Sequence, residues 1–206
     1  MSTRTQSSQS LRHLCLLALF IAIELVMYLL GLGMVPVGPL KMSFLTVPVA
    51  VGAMLMGPVD GLILGVAFGL CSLWDAISGS SIMTGTFFGI SPVHTVILCV
   101  GMRALMGLLT GLIFQGLRKI DRSRVLCYYA SALAAPLLNT LLFMGYICLA
   151  FYQTDYIQSL VTAKGAANAF MFVVLLVGVQ GLVEMLVCTL VGGTAAKSVA
   201  VAIKKN

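Results

Sequence analysis

A series of long apolar segments occupies most of this 206-residue chain. Hydrophobic residues make up 60% of the sequence and charged residues only 9%, whereas a soluble domain carries about 25% charged residues to cover itself with polar surface. A helix that crosses a bilayer needs about 20 mainly apolar residues and bonds its backbone polar groups internally. The sequence therefore predicts an all-α integral membrane protein.

Six segments have this character and predict one membrane domain, a six-helix bundle that includes the whole chain. The second segment is short and contains Pro48, and the pair Gly57-Pro58 predicts a tight turn before the third. The first contains Glu24 and is too long for a signal peptide, so it is predicted to be an uncleaved span. Residues 1–10 are predicted to be a flexible tail. The predicted spans are residues 11–33, 42–56, 58–77, 91–117, 125–151 and 166–191.

Positive charge is distributed unevenly between the two sides of this arrangement. One side has nine basic residues and the opposite side has two, Lys41 and Lys164, while Arg103 lies within a span. Because cytoplasmic connections carry the excess of Lys and Arg, both termini are predicted to be cytoplasmic. The net charge of +6 is attributed to loops near anionic lipids and not to nucleic-acid binding. The nine are Arg4, Arg12, Arg118, Lys119, Arg122, Arg124, Lys197, Lys204 and Lys205.

The three outer connections are longer and more polar than most inner ones. Residues 34–41 carry two prolines and one glycine and predict an ordered, non-helical loop. Residues 78–92 are rich in glycine and hydroxyl groups, and residues 152–165 form the third outer connection. Such loops often carry function, so the outer face is predicted to hold the specific site.

Small residues recur at every fourth position of several spans. Gly57, Gly61, Gly65 and Gly69 share one stripe of the third span, where missing side chains allow another backbone to approach closely. Packing within the chain is the favoured interpretation, and Gly107 and Gly111 of the fourth span are interpreted in the same way. Ala18 and Ala22 of the first span either pack internally or dock a partner protein.

Ionisable residues at membrane depth are costly and often functional. Arg103, Glu24 and Glu184 lie well inside spans, and Asp75 lies near the outer end of the third. Two interpretations have equal weight. In one, Arg103 pairs with Glu24 or Glu184 as a structural ion pair. In the other, Arg103 anchors an anionic solute that enters from outside.

Other polar residues are further candidates. Asn139, in the outer half of the fifth span, either bonds a neighbouring helix or lines a pocket. Trp74 is typical of an interfacial anchor, and His94 is typical of a surface or capping group. The six cysteines lack metal-ligand spacing and are interpreted as small packing residues. No catalytic motif or P-loop is present, so neither enzymatic activity nor a metal or other cofactor is predicted.

The chain resembles the substrate-binding S components of energy-coupling factor (ECF) vitamin transporters. Residues 51–74 (VGAMLMGPVDGLILGVAFGLCSLW) look like their second and third helices. Residues 87–114 (FFGISPVHTVILCVGMRALMGLLTGLIF) and 136–145 (PLLNTLLFMG) resemble the fourth and fifth. Within the group, these stretches are most similar to the pantothenate-type members. The resemblance implies high-affinity binding of a vitamin in an outward-facing pocket, in the plasma membrane of a prokaryote.

The resemblance also implies partners and site residues. Ala18 and Ala22 match an A-x-x-x-A motif that docks to a transmembrane coupling protein, which carries two cytoplasmic ATPases. For pantothenate, we expect Asn139 to bond the ligand, Trp74 to pack against it, and Lys41 or Arg103 to neutralise its carboxylate beneath the 34–41 loop. Folate, riboflavin or a thiamin precursor is the alternative ligand, and a solitary gradient-driven carrier the alternative class. The remaining substrate-binding candidates are Asp75, His94, Asn168 and Gln180.

Overall fold

A computed structural model describes residues 2–37, 40–121 and 125–205, with side chains for residues 10–35, 41–121 and 125–202. Arg122 and Arg124 lie outside the described residues, as do the side chains of Arg4, Lys204 and Lys205. The described chain is all-α apart from one hairpin. Its elements are α1 (Ser2–Leu29), β1 (Met34–Val37), β2 (Leu40–Ser43), α2 (Thr46–Met56), α3 (Pro58–Ile77), α4 (Ile82–Ile90), α5 (Pro92–Ile120), α6 (Leu126–Ala150), α7 (Asp155–Lys164) and α8 (Ala169–Val187, continuing to Lys205).

Five of the described helices are long and apolar enough to cross a membrane: α1 from Ser10, α3, α5, α6 and α8. Helix α1 begins at Ser2, within the segment predicted to be a tail. Helix α2 has only 11 residues, about 16 Å at 1.5 Å per residue, which is too short for a hydrocarbon core of about 30 Å. The described structure thus has five helices long enough to span a membrane, and the second predicted span, already the shortest of the six, corresponds to the short apolar helix α2.

Helices α1 and α3 run parallel to each other. His13 Nε2 lies 3.0 Å from Asp60 Oδ2 near one end of the pair, and the Tyr28 hydroxyl donates to Asp75 Oδ1 at 2.8 Å near the other. Both contacts join residues 47 positions apart. Between α1 and α3, the chain therefore runs back along the bundle, through the hairpin and α2, to the end at which α1 begins.

Helices α3 and α5 run antiparallel and meet along their glycine stripes. A Cβ atom added at Gly61 would lie 2.5 Å from the Gly107 carbonyl oxygen, and one added at Gly69 would lie 2.6 Å from Val100 Cα. A Cβ at Gly107 would collide with Gly61, and one at Gly111 would lie 2.6 Å from Pro58 Cα. The predicted packing within the chain is confirmed for these positions. Gly57 instead forms the turn between α2 and α3, at φ 128°, which L-residues rarely adopt.

Two outer connections contain helices where the composition indicates loops. Helix α4 lies inside residues 78–92 because Met83 and Phe87, four positions apart, are fully buried against an apolar cluster with Leu98 and Ile147. Helix α7 likewise buries Ile157 and ends at Gly165 in the left-handed conformation. Tertiary burial therefore outweighs the high glycine and hydroxyl content that favours irregular backbone.

The first outer connection is an antiparallel β-hairpin. Strands β1 and β2 pair Met34 with Ser43, Val35 with Met42 and Val37 with Leu40. The Phe44 amide donates to the Gly33 carbonyl at 2.9 Å, which closes the base of the hairpin. A non-helical strand pair thus lies at the end of the bundle that was predicted to face outwards.

Candidate functional site

A polar chamber lies at the hairpin end of the bundle, where strand residues meet four long helices (α3, α5, α6 and α8) and the short helix α4. The side chains that line it come from widely separated parts of the sequence. They are Met34, Lys41, Ser43, Ser72, Asp75, Ser81, Thr84, Arg103, Asn139, Thr140, Phe143, Met144, Val177, Gln180 and Glu184.

Helical spacing explains how each helix presents its group. Asn139 and Phe143 are four residues apart on α6, and Gln180 and Glu184 are four apart on α8, so each pair shares one helix face. Both pairs lie on a helix face turned towards the chamber. On the described part of α8, Gln180 and Glu184 are buried polar residues within an otherwise apolar helix.

A buried acid joins the hairpin to two helices. Lys41 Nζ donates to Asp75 Oδ2 at 2.6 Å, and the other carboxylate oxygen accepts from the Tyr28 hydroxyl at 2.8 Å. The side chains of Lys41 and Asp75 are 17% and 4% exposed, so water screens this pair only weakly. Asp75 therefore connects β2 with α1 through its own helix, α3.

A second carboxyl group holds the base of the hairpin to α8. The backbone N–H of Ser43 donates to Glu184 Oε1 at 2.6 Å, and the Thr46 hydroxyl donates to the Ser43 carbonyl at 3.0 Å. Ser43, Thr46 and Glu184 are all buried. The hairpin is thus fixed at both Lys41 and Ser43, directly over the chamber.

Arg103 projects into the chamber between two aromatic rings. Its guanidinium carbon lies 4.6 Å from the Phe68 ring centroid and 4.5 Å from that of Phe143, which is cation–π geometry on both faces. Nη1 donates to the Cys99 carbonyl at 3.2 Å. This carbonyl belongs to a π-helical segment, Ile97–Gly101, of the kind that often occurs at functional sites.

Four of the lining residues carry a buried polar atom with no hydrogen-bond partner among the described residues. They belong to the hairpin, α4, α5 and α6, and the atoms are Ser43 Oγ, Thr84 Oγ1, Arg103 Nε and Asn139 Oδ1. Buried polar groups are hydrogen-bonded in about 90% of cases or more, so four such atoms around one chamber are unusual. The chamber offers donors and acceptors to a bound polar molecule.

The chamber is narrow in this conformation. Its volume is about 50 Å³, enough for a few water molecules because one needs about 10–15 Å³ by this measure. A ligand as large as a vitamin fills more space, so its entry requires movement of the lining side chains or of the hairpin.

Five of the eight predicted substrate-binding residues line this chamber: Lys41, Asp75, Arg103, Asn139 and Gln180. The other three do not line it. Trp74 is 64% exposed, the exposed His94 lies with Nδ1 2.9 Å from the Ser91 hydroxyl, and Asn168 caps α8 by accepting from the Met171 N–H at 2.8 Å.

The suggested ion pair between Arg103 and a buried glutamate is not formed. Within the described residues, the ion pairs closer than 4 Å are His13–Asp60 and Lys41–Asp75. Glu184 shares the chamber with Arg103, whereas Glu24 is fully buried on α1 and neither of its carboxyl oxygens has a partner in the described part of the chain. Arg103 is therefore held by rings and a carbonyl.

Sequence reasoning did not assign Ser43, Thr84, Phe143 or Glu184 to the binding site. Glu184 and Phe143 had a signal, since each lies one helical turn from a predicted site residue, Gln180 or Asn139. Thr84 belongs to the hydroxyl-rich segment 78–92 on the face predicted to hold the site, but nothing in the sequence singled it out, because it reaches the chamber through a helix in a segment predicted to be a loop. Ser43 follows the residues predicted to form the first outer loop.

The two alanines predicted to dock a partner lie on the surface. Ala18 and Ala22 are exposed on α1, and only 6% of the spanning part of this helix is buried within the chain. Internal packing therefore does not explain this small-residue stripe.

Residues 12–192 match the family model described as ECF transporter, substrate-specific component. A comparison with curated proteins found no match. The matched segment contains all the helices that line the chamber and the exposed stripe of α1. Members of this family are transport subunits that bind substrate and associate with ECF coupling components, and they are not enzymes. The chain belongs to the family of substrate-specific components of ECF transporters and is a multi-pass membrane protein.

Proposed function

We propose that this chain is the high-affinity S component of an ECF-type importer for a water-soluble vitamin, with pantothenate as the first candidate. The four unpartnered polar atoms around one chamber carry this proposal, because a ligand that bonds them removes a desolvation cost that the empty fold retains. Five of the predicted binding residues converge on the same chamber.

The chemistry of the chamber matches that of pantothenate. This vitamin has one carboxylate, one amide and two hydroxyl groups. Arg103 Nε–H is a donor for the carboxylate, and Asn139 Oδ1 is an acceptor for an amide N–H or a hydroxyl. The hydroxyl groups of Ser43 and Thr84 can donate or accept. Phe143, Met144 and Val177 supply apolar contact for the methyl groups of the ligand.

The helix directions support six membrane crossings with both termini in the cytoplasm. Because α1 and α3 are parallel and in register, the chain between them must return across the bundle. Strand β2 adds about 13 Å to the 16 Å of α2, which together approach the thickness of the hydrocarbon core. The positions of Arg12, Arg118 and Lys197 at one end of the bundle favour a cytoplasmic location for that end. The membrane we propose is the plasma membrane of a prokaryote.

The exposed α1 stripe supports docking to a coupling protein. Small residues such as Ala18 and Ala22 let a partner helix approach closely in a membrane. A transmembrane coupling protein with two cytoplasmic ATPases would supply the energy. The S component itself binds the vitamin and releases it without covalent chemistry.

Two alternatives to a pantothenate-binding S component are distinguished by experiment. Another vitamin, such as folate, riboflavin or a thiamin precursor, would keep the S-component role with a different fit to the chamber. A solitary gradient-driven carrier would transport a small solute without ATPases.

Ligand identification tests the proposal directly. The protein is purified in detergent and denatured, and the released small molecules are identified by mass spectrometry; pantothenate is then titrated into protein without ligand. We expect a stoichiometric vitamin and saturable binding of pantothenate. A different stoichiometric vitamin would replace pantothenate as the ligand. A protein that releases nothing and binds no member of a vitamin panel would contradict the S-component role and favour the solitary carrier.

A further inference from the structure

Two cationic side chains line the chamber, but their surroundings differ. Lys41 is 2.6 Å from the Asp75 carboxylate, so its charge is already compensated within the fold. Arg103 has no carboxylate within 4 Å in the part of the chain that the structure describes, and its Nε has no partner there. Phe68 and Phe143 hold its guanidinium in place. The chamber therefore presents one cation that is available to a ligand.

The burial of Asp75 strengthens its neutralisation of the Lys41 charge. Its carboxylate is almost fully buried, and its second oxygen is oriented by the Tyr28 hydroxyl. Burial weakens screening by solvent, so the attraction between the Lys41 and Asp75 charges at 2.6 Å is stronger than that of the same pair at the protein surface. Glu184, the other acid of the chamber, is engaged through Oε1 by the Ser43 N–H and makes no ion pair with Lys41 in the described structure.

We infer that Asp75 determines the charge of the ligand that the chamber accepts. By neutralising Lys41, it leaves Arg103 as the single anion receptor, so that the chamber selects a ligand with one carboxylate over a related ligand that also carries a phosphate. Without Asp75, Lys41 becomes a second receptor and the doubly anionic type of ligand gains affinity. This inference rests on the proposed function, since it names the substrate class of the same site.

The test compares pantothenate with 4′-phosphopantothenate, which adds a phosphate of about −1.5 to −2 charge at pH 7. Dissociation constants are measured for the full chain in detergent, and the preference is the ratio of the two. We expect the wild-type protein to prefer pantothenate and Asp75→Asn to reduce that preference about tenfold or more, since a hydrogen bond to a charged group has this effect. In Lys41→Gln/Asp75→Asn the preference should return to the wild-type value.

A matched control removes the same charge elsewhere. Asp60→Asn alters a buried acid at the opposite end of α3, paired with His13, and should leave the preference unchanged. An unchanged preference in Asp75→Asn would overturn the inference. The inference would also be overturned if Lys41→Gln/Asp75→Asn shows the same reduced preference as Asp75→Asn, because the effect would then not act through Lys41.

A second probe separates this inference from the choice of vitamin. If the wild-type protein binds neither compound, pantothenate fails as the ligand, and thermal stabilisation by acetate and by sulfate is compared in the same variants. Greater stabilisation by sulfate in Asp75→Asn than in wild type, lost in the double variant, supports the inference. If sulfate stabilises Asp75→Asn no more than it stabilises the wild-type protein, the inference is overturned.

Discussion

At the scale of single residues, Arg103 is the least compensated charge of the polar chamber. Two phenyl rings contact its guanidinium group and one carbonyl accepts from it, but cation–π contacts contribute only about 0.5–2 kcal/mol each. A buried cation needs more than this to replace its hydration. The bound form of the protein is therefore expected to place an anionic group against Arg103.

Replacement of Arg103 should weaken binding of the vitamin more than any change at the surface. Arg103→Met keeps an elongated side chain between Phe68 and Phe143 but removes the donor. A hydrogen bond to a charged group contributes about 1.5–3 kcal/mol, or about 10–150-fold in affinity. Isothermal titration of the detergent-solubilised protein measures the change. Arg118→Met, on the exposed end of α5, is the control, and equal affinities for both variants would contradict the assigned role.

Asn139 and Trp74 provide a second comparison at this scale. Asn139 lines the chamber with an unpartnered Oδ1, whereas Trp74 is 64% exposed and does not line it. Asn139→Ala should therefore weaken binding by about 1–3 kcal/mol, and Trp74→Phe should leave the dissociation constant unchanged. The same titration distinguishes them. If Trp74→Phe weakens binding more than Asn139→Ala, the ligand lies at the outer rim and not in this chamber.

The sequence made it easier to predict which polar residues line the chamber than to predict which residues they contact. Asn139 and Arg103 stand out because polar groups are rare within apolar spans, and this composition is visible in one sequence. The interaction of Lys41 with Asp75 was not predicted, because it depends on how a hairpin folds back over α3. Trp74 was expected to contact the ligand on the basis of the family resemblance, although the direction of a side chain at a helix end is set by tertiary packing.

At the scale of secondary-structure elements, the contact between α3 and α5 fixes the position of Arg103. The Gly65 position faces the backbone of Arg103 and Ala104 so closely that a Cβ atom does not fit. The π-helical segment Ile97–Gly101 precedes Arg103 on the same helix. Close backbone packing thus places the base of the Arg103 side chain within the bundle and directs its head group to the chamber.

A methyl group at this interface should destabilise the protein. Gly107→Ala places a Cβ against the Gly61 backbone, and because main-chain atoms cannot rotate away, we expect a cost of about 1–3 kcal/mol and a lower melting temperature. Gly116→Ala is the matched control on the same helix, since nothing lies within 4 Å of its added Cβ. Thermal unfolding in detergent compares the two variants. Equal melting temperatures would show that α3 and α5 do not meet along these glycines.

The long helices were predictable because apolar runs of sufficient length have few alternatives in a bilayer. The glycine interface was also predictable, since a four-residue spacing identifies one face. The shortness of the second apolar segment was visible in the sequence, but the strand at its start and the helix α4 were not predictable. Residues 42–56 contain the end of a hairpin as well as a helix, and α4 is stabilised by burial of Met83 and Phe87, which depends on residues distant in sequence.

At the scale of the whole molecule, the chamber and the exposed alanine stripe, the two candidate functional surfaces, are connected through the neighbouring helices α1 and α3. The chamber includes Asp75 of α3, and the exposed alanine stripe lies on α1, which contacts α3 through His13–Asp60 and Tyr28–Asp75. The stripe lies between these two contacts. A partner docked on α1 would not occupy the chamber, so we expect the proposed binding of the vitamin and the proposed docking to be separable by mutation.

The separation predicts different effects on binding and on transport. In Ala18→Leu/Ala22→Leu, two bulky side chains project from an exposed helix face, so the fold and the dissociation constant for the vitamin should stay unchanged. Close approach of a partner helix is blocked, so uptake by cells that express the coupling protein and its ATPases should be lost. Radiolabelled uptake and titration of the purified protein measure the two properties.

The control for this prediction introduces the same substitutions at exposed alanines of other helices. Ala150→Leu/Ala163→Leu adds equal bulk to the ends of α6 and α7 and should preserve both uptake and binding. Loss of uptake in the α1 variant alone assigns docking to α1 and requires a partner for transport. Uptake that persists in the α1 variant, with binding intact, would contradict docking through this stripe and support a carrier that acts alone, because such a carrier needs no contact with another subunit.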